Sequence, residues 1–232
     1  MVLELPPYTF PTPCTITIAG PSGSGKTFLL IRGIIKYRKE LFGPGEVAGV
    51  LYFYAEDQPI FDELRREGDI KLIRGLPSRD DFEAMIEVFG GRHFLVILDD
   101  LMEEMANSAL GQDIFTKLSH HRMFSCINVQ QNLFVQGRTA RSQAVNSQFY
   151  LLTRTCRDLK QISVLGAQMF PGKTAEFVKV YRDAVDKQQQ EESGGPLPPH
   201  LLVSCHPKET NRDCQLLSNL FPPDGDRILY RI

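Results

Sequence analysis

The stretch Gly20-Pro21-Ser22-Gly23-Ser24-Gly25-Lys26-Thr27 constrains this chain more than any other. It fits G-x-x-x-x-G-K-[ST], and it stands in the context that gives the pattern mechanical meaning. Before it, Cys14 to Ala19 is a short β-rich apolar run. After it, Phe28 to Phe42 reads as a helix, with Leu30, Ile34, Tyr37 and Leu41 at helical spacing. Glycines let the backbone curl so that its N–H groups converge on phosphate oxygens. The opening helix turns its positive end to the same anion. The expected nucleotide-binding residues are Gly20, Pro21, Ser22, Gly23, Ser24, Gly25, Lys26, Thr27 and Phe28. Lys26 is expected on the β- and γ-phosphates of ATP, and the Thr27 hydroxyl on Mg²⁺. The plain alternative is a Gly/Ser-rich turn joining a strand to a helix; the order strand, loop, helix disfavours it.

The chain has 232 residues, enough for one large α/β domain with a substantial core. No apolar run approaches a membrane span. The N-terminus lacks a basic segment followed by an apolar stretch, so no signal peptide is read and secretion is not expected. The five cysteines, Cys14, Cys126, Cys156, Cys205 and Cys214, form no C-x-x-C pair. Reduced, mostly buried thiols are expected rather than a zinc site or a disulfide framework.

Residues 1–13 carry four prolines and read as an extended N-terminal arm. The core is expected over 14–186. Its further strands are Val50 to Ala55, Lys71 to Gly75, Phe94 to Asp100, Phe124 to Val129 and Gln148 to Thr153. Its further helices are Ser78 to Phe89, with Ser78 as N-cap, Gln112 to His121, Asp158 to Met169 and Thr174 to Val185. Residues 187–232 read as a surface loop (188–200) and a C-terminal extension packed on the core. There Leu201 to Ser204 is a possible strand, and the tail from Lys208 reads as irregular. Alternating strands and helices predict an α/β P-loop NTPase (ASCE/RecA-like) three-layer sandwich with a mainly parallel central sheet. The phosphate site is expected at the carboxyl ends of its strands.

Phe94-Leu95-Val96-Ile97-Leu98 runs without alternation into Asp99-Asp100, as a strand buried on both faces does. Paired acids at such a strand tip suit a Walker B position: Asp99 for the metal, Asp100 as the base that activates water. Asp in place of the more frequent Glu shortens the reach of that base. A helix cap or turn is the bland alternative. Gln131 ends the following strand and reads as a γ-phosphate sensor that positions water; a polar strand end capping a turn fits equally well. Alternation sends Gln130 and Asn132 elsewhere. Arg122, Arg138, Arg141, Arg154 and Arg157 follow Walker B, and as a set they supply candidates for a charge-stabilising arginine donated in trans, Arg122 and Arg157 foremost.

Net charge is −2, yet the charges are unevenly placed. Residues 115–182 hold ten Lys/Arg against two Asp/Glu, whereas residues 40–113 hold six against seventeen. Such asymmetry suits a polyanion-facing side, complementary faces of neighbouring subunits, or plain solvated surface.

GPSGSGKT, LVILDDLM (95–102), LSHHR (118–122), VQQNLF (129–134), the Arg141 to Asn146 segment and CRD (156–158) together resemble viral genome-packaging ATPases of the HerA/FtsK superfamily. The nearest kin in pattern are the poxvirus-like and Polinton/adintovirus-type packaging ATPases. The likeness spans residues 12 to about 185, with a looser echo in Asn219-Leu220-Phe221-Pro222. Walker A alone is generic; the Asp-Asp pair with Gln131-Asn132-Leu133-Phe134 is far more specific. The chain departs from the family in carrying Thr155-Cys156 where Asn-Pro is usual before Arg157-Asp158, and in the Gln/Glu-rich segment 188–200. The resemblance implies a homo-oligomeric ring, commonly a hexamer, with nucleotide between subunits. Such a ring uses ATP and Mg²⁺ to drive double-stranded DNA into a preformed capsid. Capsid protein is then a partner, no membrane is involved, and the location is the host cell cytoplasm or nucleus and, transiently, the capsid. Two other classes stay open: a nucleotide or nucleoside kinase, and an ATP-gated DNA-binding or assembly subunit that barely hydrolyses.

Overall fold

The computed structural model describes residues 7–43, 47–134, 146–186, 197–207, 215–221 and 226–232. Among these, nine strands form one sheet in the order β3-β2-β4-β5-β1-β6-β7-β8-β9. The strands are β1 Thr15–Ala19, β2 Val50–Tyr54, β3 Ile70–Arg74, β4 Phe94–Asp99, β5 Phe124–Gln130, β6 Phe149–Thr153, β7 His200–Ser204, β8 Leu216–Ser218 and β9 Ile228–Tyr230. The first six are mutually parallel and the last three antiparallel. Strand β5 lies between β1 and β4, so the Walker A and Walker B strands are separated by one, as expected for the ASCE arrangement.

Alternation along the strands divides the core into two faces. Ile16, Ile18, Tyr52, Leu95, Ile97, Ile127 and Val129 point to one face, and are covered by the helix that follows the loop. Leu51, Phe53, Val96, Leu98 and Cys126 point to the other. They are met there by α4 (Arg79–Glu87), α5 (Met102–Asn107) and α6 (Ala109–Asp113). Further along, α8 (Leu159–Met169) and α9 (Thr174–Asp186) cover Tyr150, Leu152, Leu201 and Val203. The architecture is an α/β three-layer P-loop fold. α4 is capped as its sequence predicts: the Ser78 hydroxyl accepts from the Asp81 N–H.

Several elements differ from expectation. The helix after the loop starts at Lys26, not Phe28: α1 (Lys26–Leu29) continues as a π-helical stretch, Leu30–Ile35, and then α2 (Arg38–Leu41). The π turn is marked by Lys36 N–H reaching Ile31 O at 3.1 Å. The helix expected over Gln112–His121 begins at Ala109, turns π-helical over Ile114–Leu118 and ends in α7 (Ser119–His121). The acidic helix α5 just before it carries no strong apolar stripe in sequence and was not anticipated. The short α3 (Phe61–Leu64) stands earlier, between β2 and β3. The tail read as irregular holds β8 and β9, which extend the main sheet. Segment 188–196, Arg138, Arg141 and Cys214 lie outside the described residues.

Phe10 and Phe221, far apart in the chain, both pack on the loop-side face. Phe10 is buried between Phe42 and Phe149. Phe221 lies against Gly33, where a Cβ would come within 3.1 Å of its ring, and stacks on Tyr37 at 6.4 Å. Phe221 also meets His200, whose Nδ1 contacts Pro198 O at 2.9 Å and whose Nε2 accepts from Leu220 N–H at 3.4 Å. Burial pushes His200 down to about 4, so the ring stays neutral and keeps both bonds. Phe221→Ala is therefore expected to cost about 3–5 kcal/mol, as for a large buried ring cut back to a methyl. Urea unfolding measures it; a loss below about 1 kcal/mol would mean that the tail does not share the core's stability.

Candidate active site

Strand β1 ends at Ala19 and the chain turns over the carboxyl edge of the sheet. Gly23 and Gly25 take φ 76° and 84°, the left-handed region where a side chain is strained. Gly20 is needed for another reason: a Cβ there would strike the Thr153 hydroxyl at the tip of β6. Thr153 Oγ1 donates to Ala19 O at 3.2 Å, which leaves Ser24 Oγ as donor in their 2.7 Å contact. Thr153 thus props the loop from below. Lys26 Nζ donates to Pro21 O at 3.0 Å and so stays folded over the loop. Burial pulls the Lys26 ammonium's proton affinity down, opposed by the nearby Asp100 and Asp99 carboxylates.

Alternation decides which acid meets the loop. Leu95, Ile97 and Asp99 share the face covered by α1, so Asp99 points at Thr27 and Asp100 does not. Asp99 is 4% exposed; its Oδ2 accepts from Tyr52 Oη at 2.6 Å and from Thr27 Oγ1 at 3.5 Å. Burial pushes its carboxyl up, as does Asp100, while Tyr52, Lys26 and Thr27 oppose. Burial and the Asp99 charge push the Tyr52 phenol well above its ordinary value, so it remains a donor. Asp100 sits just past the strand at φ 58°, a left-handed conformation rare outside glycine. Its N–H is tied to Val129 O at 3.1 Å, and its Oδ2 accepts from Gln131 Nε2 at 3.4 Å. Gln130 is buried and bonds Leu133 O, as alternation requires.

Lys26, Thr27, Phe28, Asp99, Asp100 and Gln131 thus share the rim of one open cavity of about 430 Å³. Asp99 and the Thr27 hydroxyl are hard oxygen ligands on a phosphate-side wall, a set that fits Mg²⁺ completed by water and substrate oxygens. A buried acid with raised proton affinity is also one that a cation would relieve.

The two foremost arginines part company. Arg157 is exposed and, with Pro21 and Ser22, lines a cavity flanking the loop. The Thr155-Cys156 departure still gives a fixed turn: Thr155 N–H donates to Tyr181 Oη at 2.8 Å, and Thr155 Oγ1 accepts from Asp158 N–H at 3.2 Å. Arg122 directly precedes β5, whereas Gln131 follows it. It therefore lies at the opposite sheet edge, roughly 20 Å away by strand rise, and pairs with Glu83 at 2.9 Å. Arg122 is not part of this chain's own site. Of the other arginines expected in trans, Arg154 is paired with Asp186 at 3.5 Å.

Three contributors were not anticipated: Tyr52, Thr153 and Gln161. Gln161 ties Asn132 and the Phe134 N–H to the start of α8 at 3.3 and 3.2 Å, and so fixes the loop after Gln131. None of the three carries a signal in the sequence, because each acts only through neighbours that the sheet order supplies.

No protein-family model matches the sequence, and no curated protein matches it. Among solved structures, the genome packaging NTPase B204 from Sulfolobus turreted icosahedral virus 2 in complex with AMP is similar over 87% of this chain and 94% of that one, at TM-score 0.49 and 13% identity. The same NTPase with ATP-gammaS is similar over 94% and 96%, at TM-score 0.48 and 12% identity. The cytoplasmic domain of EssC is similar over 68% of this chain and 33% of its own, at TM-score 0.44 and 12% identity.

Tyr52→Phe removes a hydrogen bond to a buried carboxylate while keeping the ring. Loss of about 1.5–3 kcal/mol is expected in urea unfolding of the nucleotide-free protein near neutral pH; unchanged stability would show that the phenol does not support Asp99.

Proposed function

We propose that this chain is a Mg²⁺-dependent ATPase that acts in a homo-oligomeric ring, commonly a hexamer, to drive double-stranded DNA into a viral capsid. The observation that carries the reading is the convergence of Lys26, Thr27, Asp99, Asp100 and Gln131 on one cavity at the carboxyl edge of the sheet. A phosphate-binding turn alone would not need paired acids and a glutamine across the next two strands. The motif resemblance around Gln131–Phe134 and Cys156–Asp158 supports the packaging role, with capsid protein as partner and the host cytoplasm or nucleus as the place of work.

Each residue has a defined task in that reading. Amides of Gly23 to Thr27 hold the phosphates, and Lys26 swings from Pro21 O to the β- and γ-oxygens. Thr27 and Asp99 would hold the ion, with Tyr52 fixing the carboxylate's rotamer. When bound, Mg²⁺ draws negative charge from the β- and γ-phosphates. Asp100 accepts the proton of the attacking water while the Gln131 amide orients it. The water oxygen bonds to the γ-phosphorus as the bond between that phosphorus and the β–γ bridging oxygen breaks, leaving ADP and phosphate. Arg157 would reach toward an anion on its own loop, and Arg122, remote from that loop, would act only on a neighbour's nucleotide. DNA would be gripped through phosphates by the basic stretch 115–182, without sequence preference.

ATP hydrolysis with and without duplex DNA tests this. Stimulation by DNA is expected, with DNA binding that weakens steeply as salt rises. Lys26→Ala should abolish turnover, and Asp100→Asn should bind ATP yet lower kcat by about 10²–10⁴-fold. Wild-type turnover in Lys26→Ala would refute the site. Hydrolysis indifferent to DNA, with no DNA bound, would refute the motor. ATP binding without hydrolysis in the wild type would favour a gated assembly subunit.

A further inference from the structure

We propose that Gln161 is a positioning residue for hydrolysis: it sets the aim of Gln131 by holding the turn that follows it, and it ties that turn to the one carrying Arg157. This role rests on the reading that Gln131 orients the attacking water, and it deepens that reading by naming what fixes the glutamine.

Gln131 stands just beyond β5, where the strand ends. Its exposed side chain reaches the equally exposed Asp100 at 3.4 Å, a long contact open to water that holds an amide only weakly. Its direction therefore follows from the backbone of residues 131–134, which has no regular structure. Two glutamines clamp that backbone. From beneath, the buried Gln130 donates to Leu133 O at 3.3 Å. From the side, Gln161 Oε1 accepts from Phe134 N–H at 3.2 Å, and Gln161 Nε2 donates to Asn132 Oδ1 at 3.3 Å.

The start of α8 departs from ordinary helix capping in a way that frees this amide. Asp158 and Gln161 stand as the N-cap and the third helical residue of a D-x-x-Q pattern, and Asp158 Oδ1 accepts from Gln161 N–H at 3.4 Å. In a capping box the glutamine side chain returns to the N-cap N–H. Here Thr155 Oγ1 accepts from that N–H at 3.2 Å. The Gln161 amide turns instead to residues 132–134, braced by Asp158 Oδ2 at 2.5 Å. Its footing is firm: Ile162 and Leu165 are buried, and Gly166 packs so closely on Phe177 that a Cβ would come within 2.6 Å of the ring.

Arg157 directly precedes Asp158, so the same side chain spaces Arg157 from Gln131. With Ser22, Asn132 and Gln161 they line one cavity of about 190 Å³ behind the loop. Gln131 also lines the cavity of Lys26 and Asp99. A loosened turn would let Gln131 drift, and misplacement by about 1 Å can cost about 10²-fold in rate.

The experiment measures kcat and ATP-gammaS affinity in full-length wild type, Gln131→Ala, Gln161→Ala and the double variant. Gln161→Ala is expected to lower kcat about 10- to 100-fold while ATP-gammaS affinity stays within about twofold. Added to Gln131→Ala, it is expected to lower kcat no further, because the group it aims is already gone. Gln161→Glu keeps the bulk and the acceptor for Phe134 N–H but offers no N–H to Asn132. It is expected to lower kcat as well, and it stands in should the alanine variant not fold. Wild-type kcat in either folded Gln161 variant would overturn the role. So would a fall in affinity as large as that in kcat, or a loss that multiplies with Gln131→Ala, the mark of general loosening. Wild-type kcat in Gln131→Ala would overturn the water-orienting reading itself, and this role with it.

Discussion

The structure turns on a contact between two elements far apart in sequence: the first turn of α1 and the tip of β4. Thr27 Oγ1 lies 3.5 Å from Asp99 Oδ2, and Tyr52 Oη donates to the same oxygen at 2.6 Å. Three strands are needed to bring them together. β5 spaces β1 from β4, the parallel register sets Asp99 beside Val129 and Tyr54, and the pleat turns residues 95, 97 and 99 toward α1. Putting a carboxylate there is unfavourable by itself, because burial disfavours its charge. The two hydroxyls and Lys26 offset part of that cost, and the remainder is electrostatic tension directed at the place where a cation would bind.

The C-terminal extension serves the same contact from the other side. Phe221 fills the notch at Gly33 on the π-helical stretch, and His200 links Phe221 to Pro198, which rests on Gly25. The helix that follows the loop is therefore gripped at its start and near its middle by residues about 170 to 190 positions later in the chain. A Cβ at Gly33 would press on the Phe221 ring at 3.1 Å, so any side chain there would push the ring outward. The fold thus couples loop position to the stability of its last strands.

Much of this was legible in the sequence because it depends on local pattern. The loop is specified by spacing, the buried strands by unbroken apolar runs, Asp99 by its place at a strand tip, and Gln131 by alternation. What escaped notice depends on tertiary context. Tyr52 reads as one more aromatic in a β run until its neighbour strand is known. Strands β8 and β9 are three residues each, too short to show a period, and gain order only by pairing with β7. The π-helical stretch has no residue signature apart from Gly33. Arg122 follows Walker B in sequence as the other arginines do, yet its place before a strand puts it at the far edge.

The interaction between the metal site and Asp99 can be measured directly. Titration of ATP-gammaS into wild type and Asp99→Asn, each with and without Mg²⁺, isolates the ion's contribution to binding. The account predicts that Mg²⁺ tightens binding in the wild type and fails to do so in Asp99→Asn, with both proteins folded by circular dichroism. Equal tightening in the two would contradict it, because the ion would then be held without the acid that the sheet aims at Thr27.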